Sequence, residues 1–113
     1  MARETNLDLI DGFEWHGKRE MTLPINEPNG RQYAEYGNPR ILVYNSDGAA
    51  YHVDQTPVIQ RYAEALIGHE GGKLILPLLS LADAMLVRGA ILGFFTAAEA
   101  TIASRNATSS SSP

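Results

Sequence analysis

The chain has 113 residues, 44% of them hydrophobic and 19% charged, a balance that suits one folded domain with its own core. It contains no cysteine, which excludes disulfides, thiolate metal sites and cysteine catalysis. The formal net charge of -4, with nine scattered basic residues, opposes binding to a phosphate backbone, so nucleic acid is not an expected partner.

The opening stretch, MARETNLDLIDG, carries acidic residues where a secretion signal needs a basic start and an apolar run, which points to the cytoplasm. Residues 6–10 alternate apolar and polar side chains and Asp11-Gly12 is a turn signal, so a short strand is expected there. Phe13-Glu14-Trp15 and residues 20–25 alternate again, and His16-Gly17-Lys18 between them supplies the permissive glycine of a tight hairpin on which Trp15 packs. Pro24 and Pro28 then limit pairing, and Asn29-Gly30 either turns the chain or caps a short helical piece over residues 31–36. After the break at Gly37-Asn38-Pro39, residues 41–44 form a β-type run, Asn45-Ser46-Asp47-Gly48 is a turn, and residues 49–53 are the candidate returning strand.

Thr56-Pro57 predicts a helix start, an N-cap followed by proline at the first helical position. Val58, Ile59, Tyr62, Ala65 and Leu66 share one face of that helix, opposite Gln60, Arg61 and Glu64. Gly68 ends it, and His69-Glu70-Gly71-Gly72 reads as a flexible joint. The expected architecture is α+β: a small N-terminal β-hairpin region followed by two helices, the C-terminal one long and apolar. Residues 1–105 form a single domain, and residues 106–113, NATSSSSP, form a polar tail too poor in apolar groups to fold alone.

The long helix begins at Leu81, because the Ser80 hydroxyl can accept from the free backbone N–H groups of the first turn and Asp83 adds negative charge near the positive end of the helix dipole. One broad side holds Leu81, Ala84, Met85, Ile91, Leu92, Phe95 and Ile102, with Arg88 and Glu99 inside it. A ridge of small residues, Ala82, Gly89, Gly93, Thr96 and Ala100, lies beside it, and the third side, with Asp83, Val87, Ala90, Phe94, Ala98 and Thr101, is also mostly apolar. A chain this short has few elements with which to wrap such a helix, so a partner or a second copy is expected to complete part of its surface. A membrane span is opposed by Pro77, which breaks the apolar run, and by Asp83 and Arg88, which would cost roughly 2.5–3.5 kcal/mol each near a bilayer centre.

Catalytic chemistry finds little purchase. His16, His52 and His69 lie in or beside three different turns, and no two have the spacing of a helical metal pair, so neither a metal nor another cofactor is expected. His52 and Asp54 would share a strand face, but no nucleophile or third ligand joins them, and Ser80 lacks the glycine flanks of a strained elbow. Gly71-Gly72-Lys73 is only a fragment of a phosphate loop. The chain is not expected to be an enzyme.

Two stretches resemble the small tail assembly chaperones of long-tailed bacteriophages. One is the hairpin with its His16-Gly17-Lys18 turn leading through Leu23-Pro24-Ile25 to Pro28-Asn29-Gly30; the other is the C-terminal helix with Asp83 early and the pair Phe94-Phe95 late. The resemblance covers about half the chain. It implies a cytoplasmic morphogenetic factor that binds the tape measure protein and keeps it soluble until tail tube subunits displace it. It also implies that a longer product can arise by frameshifting near the end of the gene. A tape measure is a long helix with apolar stripes, which a helix with spare apolar faces can shield. Met85, Leu92, Phe94 and Phe95 are the expected contact set, Met85 for its adaptability, with Gly89 and Gly93 allowing close approach. The alternatives are a small oligomeric structural or adaptor subunit of a phage particle, in which the same helix forms a self-interface, and a membrane-associated protein.

Overall fold

The computed structural model describes residues 4–110, in an α+β arrangement that opens on an antiparallel hairpin and closes on a long apolar helix. Strand β1, Glu4–Trp15, pairs with β2, Lys18–Asn26, around a two-residue turn. Both turn residues, His16 and Gly17, have positive φ, 50° and 79°, the backbone twist that matches paired strands. Leu23 and Ile25, two apart on β2, turn inward with Leu9 and Phe13 of β1.

Asp11-Gly12 does not end a strand. β1 runs through it as a wide irregularity: Asp8 pairs with Thr22 and Phe13 with Glu20, so four residues of β1 face Met21 alone. Gly12 sits at φ 74°, and a Cβ there would lie 2.5 Å from the carbonyl oxygen of Glu20, so only glycine fits.

Helix α1, Gly30–Tyr36, follows a capping box in which Asn29 Oδ1 accepts from Gln32 N and Gln32 Oε1 accepts from Asn29 N. A second hairpin, β3 (Arg40–Tyr44) with β4 (Ala50–Asp54), stands as a two-stranded ribbon with Ile41, Leu42, Tyr44, Tyr51 and Val53 exposed. Its base is tied down: Arg40 Nε donates to Asp54 at 2.7 Å, Arg88 reaches the same carboxylate at 3.4 Å, and Gln55 donates through its backbone N–H to Pro39 O and through its side chain to Asn38 O.

Helix α2, Thr56–Leu66, starts one residue earlier than expected, with Gln55 rather than Thr56 in the cap position. It buries Ile59, Tyr62, Ala63 and Leu66 in the one core cluster that also holds Leu9, Phe13, Leu23 and Ile25 of the first hairpin. The joint after it is fixed rather than flexible. Ile67 bridges Ile25, Gly68 N donates to Pro24 O, and Gly71 N donates to His69 Nδ1. That last bond leaves Nε2 to carry the imidazole proton toward Glu20 Oε2, 3.0 Å away. Trp15 packs on this joint, its ring against His69 at 5.3 Å and against Gly71, with Nε1 donating to Glu70.

A 3-10 turn, Gly72–Leu78, inserts Ile75 into the core and leads to α3, Leu81–Ser110. Ser80 caps α3 as expected, its hydroxyl accepting from Asp83 N at 3.2 Å. The helix continues past Asn106 into the stretch expected to be a disordered tail, and residues 111–113 of that tail lie outside the described residues. Thirty helical residues span about 45 Å, and the molecule measures 60 × 36 × 26 Å with a radius of gyration of 16.8 Å. A compact chain of this size would have about 13 Å. The difference is the far half of α3, which projects from the body.

Candidate functional site

The direction in which α3 faces is set by one acid. Asp83 is fully buried, and its carboxylate accepts three backbone N–H groups from the β1 irregularity: Ile10 at 2.6 Å, Asp11 at 3.0 Å and Gly12 at 2.9 Å. Burial works to raise its pKa, but the donors from Ile10, Gly12 and Asp11 and the Ser80 hydroxyl outweigh burial and hold the group below the ordinary carboxylate value. Among the described residues no buried side-chain polar atom lacks a partner.

With Asp83 pinned, residues four and eight positions later, Val87 and Ile91, are also buried. The inward stripe is therefore Asp83, Val87 and Ile91, with Ala90 and Phe94 packed beside it. The side with the largest apolar residues turns partly to solvent, with Leu81 78% exposed, Met85 63% and Ile102 58%. By length and composition, Leu81–Asn106 is apolar enough to cross a membrane, and of an 18-residue apolar stretch within it only 17% of the residues are buried.

The six expected contact residues do not form one patch. Met85 lines an open cleft of about 460 Å³ between α2 and α3, with Ile59, Gln60, Ala63, Pro77 and Arg88. Gly89 and Gly93 lie on the outer ridge, where an added Cβ would meet nothing within 4 Å. Leu92 is half-buried against the core. Phe94 and Phe95 line a second groove of about 320 Å³ between α1 and the far half of α3, closed by Glu27, Pro28, Tyr33, Asn38, Glu99 and Ile102.

Phe95 belongs to a run of rings that reaches from that groove into the body. Tyr33 lies 6.1 Å from Phe95, Phe95 lies 5.1 Å from Tyr62, and Tyr62 lies 5.1 Å from Tyr36. Tyr62 donates to Gly37 O at 2.7 Å, and burial, with Tyr33 and Tyr36 near, pushes its pKa up, so it stays neutral. Tyr33 is half exposed at the groove mouth. The sequence offered a capped helical piece over residues 31–36 as one of two alternatives, which α1 fulfils, but it did not single out Tyr33 or Ile102 as groove residues.

The conceivable His52–Asp54 pair does not form. Asp54 is taken by Arg40 and Arg88, and the Arg40 bond foremost holds its pKa down. Among the described residues, no three His, Cys, Asp or Glu side chains gather where a metal could bind. The described surface offers apolar clefts, an aromatic groove and a two-stranded ribbon with exposed apolar side chains. No protein-family model, curated protein or solved structure matches this chain.

Proposed function

We propose that the chain is a non-catalytic assembly factor of the tail assembly chaperone class, which binds the tape measure protein and keeps it soluble during tail morphogenesis. The observation that carries the reading is the contrast along α3: its first turn is locked into the body by Asp83, while most of its apolar length lies open. A helix so anchored and so exposed lowers its free energy by burying that surface against another apolar stripe. The cleft beside Met85 and the groove beside Phe94 lie along the same helix, so a partner helix can contact both ends.

The test is co-expression with a tape measure protein, scoring whether that protein stays soluble and co-purifies. Solubility retained with this chain and lost without it supports the role. A partner that precipitates regardless overturns it.

A second reading is a structural or adaptor subunit built from several copies of this chain. The open ridge at Gly89 and Gly93 favours it, since a second backbone could approach there without displacing a side chain. A fixed oligomeric mass in isolation, together with a failed co-expression test, would select this reading.

A further inference from the structure

We infer that the outer edge of β3 pairs with the same edge of a second copy of this chain, joining two β3–β4 ribbons into one four-stranded antiparallel sheet. The pairing stands apart from the tape measure reading, and its dependence on concentration separates it from the fixed oligomer of the structural reading.

The backbone identifies a strand as the occupant. Gln55 N donates to Pro39 O at the base of the ribbon and Asn45 N donates to Ala49 O at its tip, which fixes the phase of the ladder between them. Antiparallel alternation then makes Ile41 with Val53, and Val43 with Tyr51, the hydrogen-bonded pairs. Leu42 and Tyr44 therefore turn their N–H and C=O groups away from β4, to the open edge. In the first hairpin both edges are interrupted: Asp83 takes the amides of residues 10–12 on β1, while β2 carries Pro24 and is bridged at Ile25 by Ile67. β3 has neither lysine nor proline, the usual guards of an open edge. A two-stranded ribbon is weak alone and gains stability from a further strand.

The side chains identify β3 itself as that strand. A two-fold axis at Val43 sets Leu42 of each copy opposite Tyr44 of the other, so the free backbone groups of these two residues satisfy one another. The pairing ends at Arg40, whose N–H already donates to Asn38 Oδ1 at 3.1 Å. Leu42 and Tyr44 are exposed apolar side chains on one face of the ribbon, and an aliphatic side chain opposite an aromatic one stabilises paired strands. On the other face Val43 meets Val43 of the second copy, and no like charges stand opposite each other. The equivalent pairing of β4 would set Ala50 against His52, which buries little apolar surface. Pairing β3 with β4 of another copy would leave one edge of each kind free and so could continue without limit, whereas two-fold pairing of β3 closes at two copies.

The interface is small. An edge of five residues buries well under the roughly 800 Å² per partner of a standard interface, so the pair is reversible, with a dissociation constant between about 1 μM and 1 mM.

The test is sedimentation equilibrium of the full chain from about 10 μM to about 1 mM, with amide spectra recorded over the same range. The average mass should rise from one copy toward two, with concentration-dependent shifts centred on Leu42, Val43 and Tyr44. Val43→Lys and Val43→Glu each place like charges across the axis and should each weaken the pair at least about tenfold. An equimolar mixture of the two variants should regain it, since a lysine then faces a glutamate. Tyr44→Pro removes an outward N–H and no bond within the ribbon, and should abolish pairing.

A single-copy mass throughout the range would overturn the inference and leave the edge for a strand of another protein. Shifts centred on β4 or on Gly89 and Gly93, charge variants that pair as the unsubstituted chain does, or a mixture that fails to recover would overturn it equally. If a variant loses the amide dispersion of the ribbon, the mass and shifts of the unsubstituted chain decide. Either result leaves the co-expression test untouched.

Discussion

Asp83 on the first turn of α3 accepts the amide of Gly12, 71 positions earlier in the chain, at 2.9 Å, and this bond joins the projecting helix to the N-terminal hairpin. Each partner explains an oddity in the other. A buried acid needs donors, and a strand irregularity leaves amides unpaired; together they satisfy both. Replacing Asp83 with asparagine keeps the size but points an amide N–H₂ at backbone donors. The thermal midpoint should fall by at least about 5 °C, with hydrogen exchange accelerating first at Ile10, Asp11 and Gly12.

The same clasp makes stability fall in acid. Asp83 titrates below its ordinary value of 3.8 when folded, so the unfolded chain takes up its proton first as pH drops. Its contribution is complete above that value and is lost as pH falls through the lower folded one. Asp54, also held down, by Arg40 first, adds in the same sense. Denaturation midpoints should be flat from neutral pH to about pH 5 and decline below about pH 4. The Asp83→Asn variant should show a shallower decline.

Glycines at two kinds of position should respond oppositely. At Gly12 an added methyl meets the Glu20 carbonyl at 2.5 Å with φ positive, so Gly12→Ala should destabilise. At Gly89 and Gly93 it meets only solvent, so alanine there should stabilise the free chain by up to about 1 kcal/mol each through helix propensity. If a partner backbone packs on that ridge, the same alanines should reduce its recovery in co-expression despite the higher stability.

The expected contact residues should separate by role. Met85→Ala should change stability by less than about 0.5 kcal/mol, since the side chain is 63% exposed, yet lower the amount of partner kept soluble. Phe95→Ala removes a ring packed edge-to-face on Tyr62 and should cost about 1–3 kcal/mol of stability whether or not a partner binds. Chemical denaturation of each variant alongside co-expression distinguishes the roles.

Asp54→Asn should loosen the second hairpin specifically. The ribbon has no packing on either broad face comparable to the first hairpin, and besides the two Gln55 bonds its base is held by one carboxylate shared by Arg40 and Arg88. Amide exchange along β3 and β4 should rise while the global midpoint moves little.

Local chemistry made several elements legible. The first hairpin followed from alternation on either side of a glycine turn, α2 from its proline start, and the start of α3 from Ser80. What local chemistry could not supply was direction. Asp11-Gly12 has the composition of a turn, and only a carboxylate far along the chain reveals it as a docking irregularity. α3 is apolar on every side, so periodicity did not tell which side turns in. The cue was present, however: an acid four and eight residues before Val87 and Ile91 marks a buried, satisfied group rather than a surface charge. The groove was illegible for a different reason, because Tyr33 and Phe95 meet only through the packing of α1 and α3 around Tyr62.

The projection of α3 also governs how the free chain behaves in solution. A particle 60 Å long and 26 Å thick drags more solvent than a sphere of equal mass, and it tumbles faster about its long axis than end over end. A single copy should therefore leave a sizing column ahead of a compact 12.3 kDa marker and pass for a dimer by elution volume. Mass from light scattering, which is indifferent to shape at this size, separates an extended monomer from a true pair.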